Sequence, residues 1–244
     1  ASVRPEIIDP ETTSVLLTST VKYDSKSTIK SSDTLKSEIT TAVTNYNTNT
    51  LQKFDSVYRH SKLTGIIDDV DTSILSNITT IKIRKNFTPT ISSSTRYDIY
   101  FRNALFNPHS GHNMTAGGIL SSTGFKVTGS DFEQFLDDDG NGNVRRYYLA
   151  SGIRTYSNET QGTIDYTTGQ ITLNSLNVAS ISNIRGATST VVELTVTPNS
   201  NDVVPVRDQI VEIDIANSTI NVTADSFVGG SADAGVGYTT TSSY

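Results

Sequence analysis

Gly162-Thr163-Ile164-Asp165-Tyr166-Thr167-Thr168-Gly169-Gln170-Ile171-Thr172-Leu173 is the stretch on which the fold turns. Ile164 and Tyr166 alternate with polar residues before the Thr-Thr-Gly turn, and Ile171 and Leu173 alternate after it. This period-two pattern belongs to half-buried strands, and Gly169 can supply the positive φ that a tight turn demands. The unit reads as an antiparallel hairpin. Around it, short alternating runs recur at turn-separated intervals: Tyr97/Ile99/Phe101, Phe125/Val127, Val144 to Leu149, Val192/Leu194/Val196 and Val211/Ile213/Ile215. Everything beyond Pro89 is therefore predicted to be all-β.

Upstream the pattern changes. Val15, Leu17, Val21 and Tyr23 share one parity, with Thr18, Thr20 and Lys22 on the other, which predicts a strand over 15–23. Ser31-Ser32-Asp33 is good N-cap chemistry, and Leu35, Ile39, Ala42, Val43 and Tyr46 then fall on one helical face. The β-branched Thr40, Thr41 and Thr44 lower intrinsic helicity, so this helix needs packing on a sheet. Leu51, Phe54 and Tyr58 prolong it or form a second short helix. Leu63, Ile66 and Ile67 add a turn or two, ended by Asp68, Asp69 and Asp71. Alternation resumes from Ile78 to Phe87.

The order strand, helix, short helix, strand predicts an α+β class: a small strand-helix-strand unit of split-βαβ character, followed by a β-rich, mainly antiparallel domain. The expected boundaries are 1–90 for the first unit, 91–228 for the second and 229–244 for a flexible C-terminal tail of glycine, serine and threonine. Residues 106–118 read as a long surface loop. The opening Ala1-Ser2-Val3-Arg4-Pro5 looks like a linker, as in a domain excised from a longer protein.

Composition narrows the chemistry. The 244 residues contain no cysteine, which removes thiolate catalysis, Cys-ligated zinc and iron–sulfur clusters. With 19 basic and 25 acidic residues and a net charge of −6, the chain lacks the basic excess of a nucleic-acid binder. No apolar run approaches the roughly 18 residues of a membrane span. Neither nucleic acid nor membrane is an expected partner.

Asp137-Asp138-Asp139-Gly140-Asn141-Gly142 matches the first half of a calcium loop, with Asp137, Asp139 and Asn141 at positions 1, 3 and 5, but position 12 is Tyr148 instead of a carboxylate. The reading is a turn between strands, with calcium as the alternative. His109 and His112 lack an evident third ligand and read as surface residues, and His60 as capping or partly buried. A glycosidase-like pair drawn from Asp131, Glu133, Asp137, Asp138 and Asp139 weighs less than a solvated turn. P-loop, nucleophile-elbow, dinucleotide and H-E-x-x-H signatures are missing. No catalytic, cofactor or metal residue is assigned, and no enzyme activity is expected.

Phe54-Asp55-Ser56-Val57-Tyr58-Arg59-His60-Ser61-Lys62-Leu63, Ile67-Asp68, Asp71-x-Ser73-Ile74-Leu75-Ser76-Asn77 and Lys82-x-Arg84-Lys85 resemble the C-terminal region of a T4-type phage baseplate wedge protein, gene product six, the J-like component. Asp138 to Arg145 and the Gly162 to Leu173 hairpin resemble that family's distal part, so matching blocks run from about 13 to 175. The resemblance implies a structural virion protein of a contractile tail. It would pair with a second copy of itself and join neighbouring wedge and hub-proximal tail proteins into a baseplate ring, assembled in the host cytoplasm. A receptor- or carbohydrate-binding tail module is the alternative, motivated by the Ser/Thr-rich strands, the 106–118 loop and the Asp/Asn/Gly turn.

Overall fold

A computed structural model of the chain describes residues 11–112, 118–204 and 209–225. The predicted tail at 229–244, the opening linker and the middle of the 106–118 loop lie outside the described residues.

The upstream strand forms as β1 (Glu11–Tyr23), with Val15, Leu17, Val21 and Tyr23 turned inward as the alternation requires. Helix α1 (Ser32–Tyr46) starts where Ser31, in extended conformation, accepts the Thr34 N–H on its hydroxyl, and it buries Leu35, Ile39, Val43 and Tyr46. Each of those apolar side chains is worth about 1.5–3 kcal/mol when fully buried, which offsets the threonines' weak propensity. The helix runs on through a π-helical turn, Asn47–Leu51. Phe54 then stands exposed in a bend, while Tyr58 is buried and bridges to Val203. Helix α2 (His60–Asp68) buries Leu63 and Ile67. Strand β2 (Ile74–Phe87) pairs antiparallel with β1.

What joins β1 and β2 overturns the α+β assignment. Strands β11 (Gln209–Ile213) and β12 (Thr219–Ala224) run parallel to β1 on its other side, and β10 (Val192–Val196) continues the sheet beyond β2, with the two-residue β4 (Ser121–Ser122) at its edge. Helices α1 and α2 cover one face of this mixed sheet. The rest is a closed barrel: β5 (Phe125–Val127), β6 (Gln134–Asp138), β7 (Asn143–Ala150), β8 (Ile153–Asp165) and β9 (Gln170–Ile181) pair in succession, and β9 returns to β5. Strand β3 (Ser94–Tyr100) is added to β9 on the barrel's outside. Twelve strands against two α-helices among the described residues make the molecule a β-rich fold, and the strand-helix-strand unit is one part of a larger sheet. Local periodicity reports that a strand is half-buried; it carries no information on which distant strand will lie beside it.

The β8–β9 hairpin forms over the predicted stretch, with Gly169 at φ 70° and the pairs Gly162–Leu173 to Asp165–Gln170 closing the barrel. One continuous apolar core runs from Val15 and Ile39 under the helices to Phe125, Leu136 and Leu173 in the barrel. Two polar devices complete it. Asn47 is buried, accepts the Ile213 N–H at 2.7 Å and donates to the Ile213 carbonyl at 3.2 Å, doing for the outer edge of β11 what a further strand would do. Arg84 is buried against Glu193 and Asp214, and Arg185 holds Glu193 from outside at 2.8 Å, which ties β2, β10 and the end of β11 together.

Candidate contact surfaces

The expected turn between strands forms at residues 139–142, between β6 and β7, but the acidic stretch as a whole is not solvated, because burial splits it. Asp131 and Glu133 are exposed, but Asp137 and Asp138 lie in β6 with almost no accessible surface. Successive strand residues point to opposite faces, so the two carboxylates serve different neighbours. Asp137 accepts from Arg145 Nε at 2.9 Å, an Arg154 guanidinium nitrogen at 2.8 Å and the Tyr156 hydroxyl at 2.9 Å. Asp138 accepts the Ile119 and Leu120 N–H groups at 2.7 and 2.8 Å and the Tyr166 hydroxyl at 2.6 Å. Burial, then the Asp138 bond, pushes the Tyr166 phenol well above its ordinary range.

The remaining calcium-loop positions are equally engaged. Asp139 accepts the Asn141 and Asn143 N–H groups and the Asn143 side-chain amide, and Asn141 Oδ1 accepts from Ser110. Tyr148, in the place of the twelfth ligand, stacks on Phe132 with centroids 4.6 Å apart. The carboxylate oxygens a cation needs are spent on arginines, amides and hydroxyls pointing in different directions. Among the described residues no three His, Asp or Glu side chains gather as a metal site. No helix of the described residues is long and apolar enough to cross a membrane.

The histidines part company. His109 and His112 meet edge-on in the surface loop, with ring nitrogens 3.1 Å apart, and Phe106 packs on His112. His60 opens α2, and its N–H donates to Asp202 Oδ1 at 2.9 Å. Arg59 holds the other oxygen of Asp202 at 2.7 Å and, as the main cause, keeps that carboxyl below the usual range. The helix is thus capped by a residue far along the chain, beyond the reach of a local capping motif. Burial lowers the His60 imidazole, whose Nδ1 is enclosed without a partner among the described residues.

Two surface features escaped the sequence reading. Leu149 and Ile153, on either side of the β7–β8 turn at Ser151-Gly152, are 51 and 71% exposed, and Phe132, stacked on Tyr148 of β7, is 57% exposed. On the Leu149 face of β7 and β8 lies a panel of Tyr147, Tyr156, Arg145 and Arg154, with Arg154 4.6 Å over the Tyr147 ring and Arg145 4.3 Å over that of Tyr156. Large apolar side chains beside tyrosine and arginine are what protein interfaces select. Their signal in the sequence was the apolar Leu149 and Ile153 flanking a turn, where polar residues are the rule. The second feature is the outer edge of β3, which pairs with β9 on one side alone among the described residues.

Residues 13–86, the β1–α1–α2–β2 unit, match the family described as baseplate structural protein gp6, C-terminal domain III. No curated protein matches the chain. The receptor- or carbohydrate-binding alternative finds no support in these comparisons. Over β1 to β2 this chain is therefore similar to the C-terminal region of a T4-type baseplate wedge protein, a structural component of the baseplate.

Proposed function

We propose that the chain works as a wedge protein of a contractile-tail baseplate, closing the baseplate ring by pairing with a second copy of itself and by gripping neighbouring wedge and hub-proximal subunits. The observation that carries this is the gp6 match over β1 to β2. The exposed Phe132, Leu149 and Ile153 support the mode of action, since covering side chains of that size from their present half-exposed state gains about 1–2 kcal/mol each. The arginine and tyrosine panel supplies directional contacts. The same reading makes the chain a non-enzyme, its buried carboxylates holding strands and loops in register. It is assembled in the host cytoplasm and acts in the virion.

Electron microscopy of intact tails should locate the chain in the ring around the tail hub. Finding it at a fibre tip, or nowhere in the particle, would overturn the proposal. Sedimentation of the purified chain at micromolar concentration should give a dimer, and serines at Phe132, Leu149 and Ile153 should leave the fold intact while abolishing incorporation into baseplates.

A further inference from the structure

The outer edge of β3 is self-complementary. The Phe101 N–H donates to the Gly169 carbonyl at 2.9 Å, and Ile99–Ile171 and Tyr97–Leu173 keep phase with that bond. Residues 97, 99 and 101 therefore turn their peptide groups toward β9, and Arg96, Asp98 and Tyr100 turn theirs away from it. Among the described residues no backbone group pairs with those outward groups. Arg96, Asp98 and Tyr100 are also the exposed side chains, while Ile99 is buried and Tyr97 packs on Phe87 with ring centroids 5.0 Å apart. The edge is regular: the irregularity between Thr95 and Tyr97 lies on β9, where Asn174 and Ser175 stand against the single Arg96 and Ser175 takes φ 48°.

An antiparallel copy of this edge can be aligned so that its outward peptide groups meet their own kind in three central registers. With the two-fold axis at Arg96 or at Asp98, like charges stand directly opposite. With the axis at Tyr97, Arg96 faces Asp98 of the second copy and Asp98 faces its Arg96, while Ser94 faces Tyr100. Opposite charges across an antiparallel pair attract and like charges repel, so the register is decided by charge. Arg96 and Asp98 already lie side by side at 3.0 Å, and a second copy would complete an alternating array of four charges. Arg96 is the main cause that holds the Asp98 carboxyl below the usual range, so the array stays charged at neutral pH.

We infer that the β3 edge is where two copies of this chain join, antiparallel about Tyr97, into a sheet continuous across the dimer. This rests on the self-association proposed above and specifies its surface.

The test is a charge swap in the full chain, read by sedimentation. Arg96→Asp and Asp98→Arg, each alone, should weaken the dimer at least tenfold, because each places like charges opposite. The combined Arg96→Asp/Asp98→Arg chain should recover wild-type affinity within about threefold. Hydrogen exchange at the Arg96, Asp98 and Tyr100 amides should slow as protein concentration rises. A dimer indifferent to all three variants overturns the surface and leaves self-association standing. A chain that is monomeric at every concentration overturns both. Amide protection independent of concentration means that a segment of the same chain occupies the edge, and this too refutes the inference.

Discussion

Placing one methyl group at Gly162 tests the closure of the barrel. A Cβ there would lie 2.0 Å from the Thr172 carbonyl oxygen and 3.0 Å from its carbon, whereas ordinary contact begins near 3.4 Å. The obstacle is backbone and cannot rotate aside, so the β8–β9 seam must open by about 1.4 Å, enough to break the nearest ladder bonds. Four residue pairs, Gly162–Leu173 to Asp165–Gln170, close the seam. At about 0.5–1.5 kcal/mol per hydrogen bond, losing two to four of them predicts about 3 kcal/mol of destabilisation for Gly162→Ala. With a urea dependence of about 3 kcal/mol per molar, the unfolding midpoint should fall by about 1 M.

Two other glycines separate this steric role from a conformational one. A Cβ at Gly152 meets nothing within 4 Å, but its φ of 81° is left-handed, so Gly152→Ala should cost about 1 kcal/mol through strain alone. Gly65 lies inside α2, and a Cβ there likewise meets nothing, so Gly65→Ala should stabilise by about 0.5–1 kcal/mol. Urea titrations of the three variants followed by tyrosine fluorescence and by far-ultraviolet dichroism give the ordering. A Gly162→Ala chain within about 0.5 kcal/mol of wild type would refute barrel closure at this seam.

Arg84→Met should cost about 3 kcal/mol in the same titration, because Glu193 and Asp214 would remain enclosed without their shared cation, whereas Arg59→Met at the exposed Asp202 pair should cost under about 1 kcal/mol. Asn47→Ala leaves the Ile213 N–H and carbonyl buried without partners and should cost about 2 kcal/mol, with faster amide exchange at Ile213 as the direct readout. His60 makes stability pH-dependent: burial lowers its folded pKa below the unfolded value of about 6.5, so the unfolded chain binds more protons and stability falls as the pH drops below that value. Midpoints at pH 7.5 and 5.5 should differ more for wild type than for His60→Gln; equal differences would remove His60 from the explanation.

Much of the local structure is legible in the residues. Period-two alternation over Val15 to Tyr23, the Ser31 cap with its apolar helical face, and the Gly162 to Leu173 hairpin follow from rules that act within a few residues, and β1, α1 and the β8–β9 hairpin form accordingly. The acidic stretch was half legible: Asp139 to Gly142 form the expected turn between β6 and β7, but Asp137 and Asp138 are buried, because solvation is not a local property. Asp137 and Asp138 look like their neighbours Asp131 and Glu133 until Arg145, Arg154 and Tyr156 arrive from β7 and β8, and the 119–120 backbone from its loop.

Short-range sterics and the alternation of side chains settled where strands and helices begin and which face of each is apolar, and composition alone took cysteine chemistry away. Tertiary structure decided that β11 and β12 lie parallel to β1, that the barrel closes on itself, and that among the described residues β3 has a neighbour on one edge alone. Such choices depend on hydrogen-bond groups and buried faces finding partners from about fifty to nearly two hundred residues away, and a strand's own sequence records only that it needs a neighbour.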